Sequence, residues 1–262
     1  MKWIEHLQGA CVTTPAHHEI NLKVVILDTD FYASHALNSF LAWDRRTRVT
    51  YLAETLKDMW VYINNTPLAE MPNIVLLEAD HIGGSDILAK TITDLYKRIA
   101  QVRVICVGQE ANVHLVEAAA DSGAAGYFLK QDVRLQIAWG IVFSLNHDFT
   151  ITPAIAHASA DRFNHRIFHA VVLPGMRRFP ELTGRIGQAL KLCVLDGLPA
   201  HLAADEMGIS LHTIRGYIKE GYRILEAHDD LEYATDMTPQ ERAFMRMTAF
   251  DEDDDGEENE SE

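Results

Sequence analysis

From Lys23 onward the chain alternates short continuous apolar runs with stretches whose apolar residues recur at helical spacing. The runs predict strands over 24–27, 49–53, 74–77, 102–107 and 125–129. The periodic stretches predict helices over 31–43, 54–64, 85–99, 111–121 and 133–145. Five β/α units in this order predict an α/β doubly wound, five-stranded parallel sheet of the flavodoxin-like kind. Such sheets carry their sites outside the carboxyl ends of their strands.

After Pro153 the strand signal stops. The stretch from Ile155 to Val172 reads as a helix, punctuated afterwards by Pro174, Gly175 and Pro180. From Leu182 to about Met247 the pattern is helical throughout. Within it, Leu202, Ala203 and Met207 supply the packing face of one helix, and Gly208 supplies a turn where positive φ is free. Ser210 is a good N-cap for a second helix. Ile214, Ile218, Tyr222 and Leu225 form the buried stripe of that helix. His212, Thr213, Arg215, Gly216 and Lys219 are left on its other face. A helix with small and basic groups near its N-terminus suits a DNA major groove. The expected organisation is an extension over 1–21, an α/β domain over 22–153, a linker helix over 154–180, an all-α helix-turn-helix domain over 181–248, and a tail over 249–262.

Charge sharpens this division. The net charge is −15, but residues 251–262 hold nine acids and no base, so the other residues carry −6. A like-charge block of that kind reads as a disordered, solubilising tail or as a polyanion that competes for a basic face. Residues 182–230 contain five Lys/Arg and seven Asp/Glu, so any positive DNA-facing surface must be local, built from Arg215, Lys219 and Arg223 on one helix. Three scattered cysteines, without a CxxC pair, fit a reducing cytoplasm. No apolar run approaches the ~18 residues of a membrane span, so cytoplasmic location without membrane contact is expected. No P-loop, nucleophile elbow, dinucleotide fingerprint or metal-spaced His/Cys set is present, so an enzyme is not expected.

The chemistry concentrates at three strand ends. Lys23 to Asp30 (KVVILDTD) delivers Asp28 and Asp30, Ile74 to Glu78 delivers Glu78, and Gly126 to Lys130 (GYFLK) delivers Lys130. Acids on two strand ends and a lysine on a third are the parts of a phosphoryl-receiving site, with Asp28 and Glu78 as possible Mg²⁺ ligands. Glu78 is one methylene longer than an aspartate, and its carboxylate could reach Lys130 and pair with it permanently, a partial mimic of a phosphate. Asp80, two residues on, is the rival acceptor if the strand register slips. The third reading is a residual ion pair among Asp28, Glu78 and Lys130 that only stabilises the fold.

Residues 23–158 resemble the receiver domain of a bacterial response regulator of the NarL/LuxR type. The likeness rests on Ser122 to Lys130 (SGAAGYFLK) and on Phe149 to Ala156 (FTITPAIA). The run from Gly197 to Leu225 resembles the LuxR-type helix-turn-helix without a gap. The resemblance implies a DNA-binding transcription regulator whose recognition positions fall on His212, Thr213, Arg215 and Lys219. It also implies a homodimer through the fourth and fifth receiver helices. Tyr217, where the family often has histidine, is expected to reach a phosphate, with Arg223 nearby. The departures are Glu78 at the acceptor, Thr29 between the two acids, and Gly108 where a hydroxyl residue usually ends the fourth strand. They imply an atypical regulator that acts without phosphorylation, under control of a partner protein or a ligand. The alternatives are an adaptor that has lost DNA binding and a conventional regulator phosphorylated on Asp80.

Overall fold

The computed structural model describes residues 20–228, 233, 234 and 236–251. Residues 1–19 of the N-terminal extension and 252–262 of the acidic tail lie outside the described residues. Seven parallel strands form one sheet in the order β2-β1-β3-β4-β5-β6-β7. The strands are β1 (Leu22–Leu27), β2 (Thr47–Ala53), β3 (Ile74–Glu78), β4 (Arg103–Gly108), β5 (Gly126–Leu129), β6 (Thr150–Ile151) and β7 (Val171–Val172). The intervening helices are α1 (Phe31–Ala42), α2 (Leu56–Asn65), α3 (Ser85–Arg98), α4 (Val113–Asp121), α5 (Lys130–Val133), α6 (Ile137–Ser144), α7 (Pro153–Ala158) and α8 (His165–Phe168).

The central strands carry continuous apolar runs, over 24–27, 74–77 and 104–107, because both faces are covered. Side chains alternate between those faces. Val25, Leu27, Val75 and Leu77 join Met59, Ile63, Leu88, Ile92 and Val116 from α2, α3 and α4. Val24, Ile26, Ile74 and Leu76 join Leu37, Leu41, Ile137 and Ile141 from α1 and α6. The five expected strands thus form the doubly wound core, and α1 to α4 lie where the periodicity places them.

Beyond β5 the structure departs from expectation. The stretch 133–145 is not one helix. The short α5 ends at Arg134, whose φ of 36° is a left-handed value rare outside glycine. A 3₁₀ turn over Arg134–Gln136 then leads into α6. Nor is 154–180 a linker helix. The first helical stretch ends at Ala158, and Asn164 caps the next, its Oδ1 accepting from the amides of Arg166 and Ile167. The β-branched pair Val171–Val172 then joins the sheet beside β6. Arg166 fastens this extension, donating to the carbonyls of Ala124 (3.0 Å) and Asp148 (2.7 Å) and to the Asp148 carboxylate (2.9 Å).

From Gly184 to Met247 the elements among the described residues are helices: α9 (Gly184–Leu190), a π turn (Lys191–Leu195), α10 (Ala200–Met207), α11 (Leu211–Ala227) and α12 (Pro239–Met247). The last of these begins with a capping box between Thr238 and Glu241. Five successive residues of α12, Ala243 to Met247, are buried. Burial all round a helix means that it is sandwiched. On one side Ala243, Phe244 and Met247 share a core with Ile186, Leu190, Val194 and Leu225. On the other, Phe244 stacks on Trp43 at 5.5 Å, and the Trp139 indole N–H donates to the Met245 carbonyl at 3.1 Å. Arg45 pairs with Asp236 (2.6 Å) and Glu241 (3.0 Å). Beneath it, Arg46 is buried against Asp44 and lies 3.9 Å over the Trp139 ring.

The chain then returns to the sheet half. Gln136 donates to the carbonyls of Thr248 and Ala249, and Phe250 packs edge-on against Phe143 and Trp139. The expected tail over 249–262 therefore starts too early. Ala249 and Phe250 are core residues, and the Asp251 amide donates to the Gly175 carbonyl. Among the described residues, no helix is long and apolar enough to cross a membrane.

Candidate functional site

The sheet brings Asp28, Asp30, Glu78, Asp80, Gly108 and Lys130 to one carboxyl edge, and each has a defined partner or neighbour. Asp28 is fully buried at the end of β1. Its Oδ2 lies 2.7 Å from the Lys130 ammonium, and its Oδ1 accepts from the Asp30 amide at 2.9 Å. Since β3 and β4 lie between β1 and β5, this ion pair crosses the carboxyl edge above them. Asp30 is turned the other way. It caps α1, with Oδ1 accepting from Tyr32 (2.8 Å) and Ala33 (3.1 Å).

Glu78 corrects the expectation built on its length. Its carboxylate does not pair with Lys130. It folds back over the β3–α3 loop and accepts from the amides of Asp80 (2.8 Å) and His81 (3.1 Å), with His81 Nδ1 at 3.2 Å. The carboxylate is held by donors two and three residues ahead, while the lysine has an anion in Asp28. Asp80 lies two residues past the end of β3, so the strand register does not slip. Its Oδ2 accepts from the Gln109 amide at 2.5 Å. At Gly108 a Cβ would meet the Tyr127 hydroxyl at 2.9 Å and Asp80 Oδ1 at 3.2 Å. The place of a side chain there is taken. The Tyr127 hydroxyl is buried without a hydrogen-bond partner, and burial, helped by nearby Asp80, pushes its ionisation above the ordinary tyrosine range.

A Mg²⁺ ion needs several oxygen ligands converging on one point. Asp28 faces Lys130, Asp30 faces its helix amides and Glu78 faces its own loop, so these residues do not fit the ion. Among the described residues, no three His, Cys, Asp or Glu side chains gather as a group that could hold a metal.

The second candidate site is the α10–α11 pair. Gly208 ends α10 in the left-handed conformation, φ 64°. Ser210 caps α11 by accepting from the Thr213 amide at 3.1 Å. Ile214 and Leu225 are buried, with Ile218 and Tyr222 half-buried beside them. Gly221 is buried too. A Cβ there would come within 2.6 Å of Leu190, so glycine lets α9 and α11 approach closely. His212, Arg215, Gly216 and Lys219 are exposed on the outward face, and residues 211–219 contain no acid.

Three of the residues expected to contact DNA have partners within the protein. Thr213 is half-buried, and its hydroxyl is 2.8 Å from that of Ser210. Tyr217 is half-buried, its ring packed against both apolar clusters of the helical half. Arg223 is held by Glu220 at 2.6 Å, one turn back on the same helix.

The sequence reading missed α12 as the bridge between the halves. The signal was present in the capping-box pattern Thr238-Pro239-Gln240-Glu241 followed by Phe244, Met247 and Phe250.

No family model matches the chain, and no curated protein matches it. Several solved structures are similar. The RcsB response regulator of Salmonella typhimurium is 16% identical, with 82% of this chain and 94% of that chain covered and a TM-score of 0.44. RcsB from Salmonella enterica serovar Typhimurium bound to promoter rprA is 14% identical, with 87% and 99% covered and a TM-score of 0.42. The response regulator ChrA of a heme-sensing two-component system is 17% identical, with 87% and 96% covered and a TM-score of 0.42. Similarity at this level places the chain in no family.

Proposed function

We propose that the chain is a DNA-binding transcription regulator, built as an atypical response regulator that acts without phosphorylation. The observation that carries the reading is the outward face of α11, where His212, Arg215, Gly216 and Lys219 stand exposed with no acid among them. A helix of this kind fits the major groove, with arginine suited to a guanine edge and lysine to a phosphate. In its support, Asp28 is paired with Lys130, Asp30 caps α1 and Glu78 accepts from the Asp80 and His81 amides, so these three carboxylates do not converge on one point. A homodimer would set two such helices on half-sites one helical turn apart.

The test is selection of duplexes from a random pool by the purified full-length protein, without a phosphodonor. A two-fold symmetric site, bound by wild type and lost in Arg215→Ala/Lys219→Ala, is the expected result. Failure to enrich any duplex would favour the adaptor reading, which has in its support the excess of acids over bases in residues 182–230. Incubation with acetyl phosphate followed by intact-mass measurement is expected to add nothing. A phosphoryl group mapped to Asp80 would replace this reading with the conventional one.

A further inference from the structure

A cavity of about 250 Å³ opens beyond the carboxyl ends of β5, β6 and β7, on the same edge of the sheet as Lys130. Asp132, Gln136, Thr152, Leu173, Met176 and Phe250 line it. Asp132 is half-buried, and one of its carboxylate oxygens, Oδ2, is shielded from solvent and has no hydrogen-bond partner. Shielding an anion without a donor is costly, and a cation held beside it removes the cost. The rest of the wall is largely apolar, and the Phe250 ring adds a surface that favours both hydrocarbon and cations. Engineered apolar cavities of about 150 Å³ hold a benzene molecule, so this one has room for a ring with a short arm.

From this geometry we propose that the cavity is a binding site for a small organic ammonium with an apolar body, its charge on Asp132 and its hydrocarbon against Leu173, Met176 and Phe250. The site is also placed to act on the rest of the molecule. Gln136 both lines the cavity and holds the carbonyls of Thr248 and Ala249. Met176 pairs with Phe250 in an antiparallel bridge. A ligand here touches the strap that ties α12, and through it the α11 core, to the sheet half. That regulatory role rests on the DNA-binding reading above; the binding site itself does not.

The probe is phenethylamine, a ring with an aminoethyl arm, and the control is 2-phenylethanol, its uncharged counterpart. Calorimetric titration of the full chain is expected to show saturable binding of the amine and none of the alcohol. Asp132→Asn, which keeps shape and removes charge, is expected to weaken the amine on the order of tenfold or more. Its unliganded melting temperature serves as the folding control. Equal binding of amine and alcohol, an unchanged affinity in Asp132→Asn, or no binding heat would each overturn the site. The protein's affinity for a selected duplex is then measured with and without the amine. A shift supports control through the strap. Amine binding with unchanged DNA affinity overturns that control and leaves the site standing. Absence of DNA binding under both conditions overturns the proposed function and not the site.

Discussion

Two glycines five residues apart on α11 should respond oppositely to the same substitution. Gly216 is exposed, and nothing lies within 4 Å of where its Cβ would stand. Replacing it by alanine removes only the backbone-entropy penalty of a helical glycine, so Gly216→Ala should stabilise by about 1 kcal/mol. Gly221→Ala makes the same gain but places a methyl 2.6 Å from Leu190 Cδ1, 2.8 Å from Cγ and 3.0 Å from Cδ2. Leu190 is fully buried and has little room to retreat. Overpacking of this kind costs about 1–3 kcal/mol. Taking the middle of that range, the net change is a loss of about 1 kcal/mol. The two variants should then differ by about 2 kcal/mol. Urea denaturation followed by far-ultraviolet circular dichroism measures both. A double-mutant cycle of Gly221→Ala with Leu190→Ala adds a second reading. The smaller side chain at position 190 should admit the new methyl and give a coupling of about 0.5–3 kcal/mol. If Gly221→Ala stabilises as much as Gly216→Ala, α9 and α11 do not pack as closely as described.

Other consequences are as direct. Lys130→Met should cost about 3 kcal/mol, because it leaves the buried Asp28 carboxylate without its ion partner, and Asp28→Asn in the same background should recover part of the loss in urea denaturation. Phe250→Ala should cost about 3–5 kcal/mol, as for other large core truncations, and hydrogen exchange should show faster amides in α12; unchanged exchange would mean that the strap does not hold that helix. The Thr238 amide and the Arg45 guanidinium hold the Glu241 carboxyl below its ordinary value of 4.5, and Arg45 holds Asp236 below 3.8. Depressed values mean a stabilisation complete above those ordinary values and lost as pH falls through the lower folded ones. Arg45→Gln should therefore flatten the acid side of the stability profile, and an unchanged profile would remove the Arg45 pairs from the account.

How far the sequence reveals this molecule varies with the range of the interaction. The core strands were legible because β1, β3 and β4 are apolar at consecutive positions, a pattern that covering on both faces imposes locally. The turn at Gly208 and the cap at Ser210 were legible for the same reason, since each acts within a few residues. Strands β6 and β7 were not, because two-residue strands carry no period and depend on β5 for their place. Glu78 shows a different limit. Its position at the end of β3 follows from the pattern, but the direction of its carboxylate depends on the Asp80 and His81 amides and on Lys130 having Asp28 for a partner. Tyr217, three residues after Ile214, stands at the border of the buried stripe, and its ring packs against apolar clusters that include residues of α9 and α10. The role of α12 was hidden because one side of it is covered by Trp43 and Trp139, more than a hundred residues away in the chain.

The measurement that bears most directly on the account is the affinity of the full-length protein for a selected duplex, without a phosphodonor and at several salt concentrations. The account predicts a two-fold symmetric site bound without phosphorylation. It also predicts that Lys219→Ala lowers the salt dependence by about one phosphate contact, and that Arg215→Ala relaxes base preference at one position of each half-site. Equal binding by the wild type and the Arg215→Ala/Lys219→Ala protein, or binding that appears only after treatment with acetyl phosphate, would contradict it.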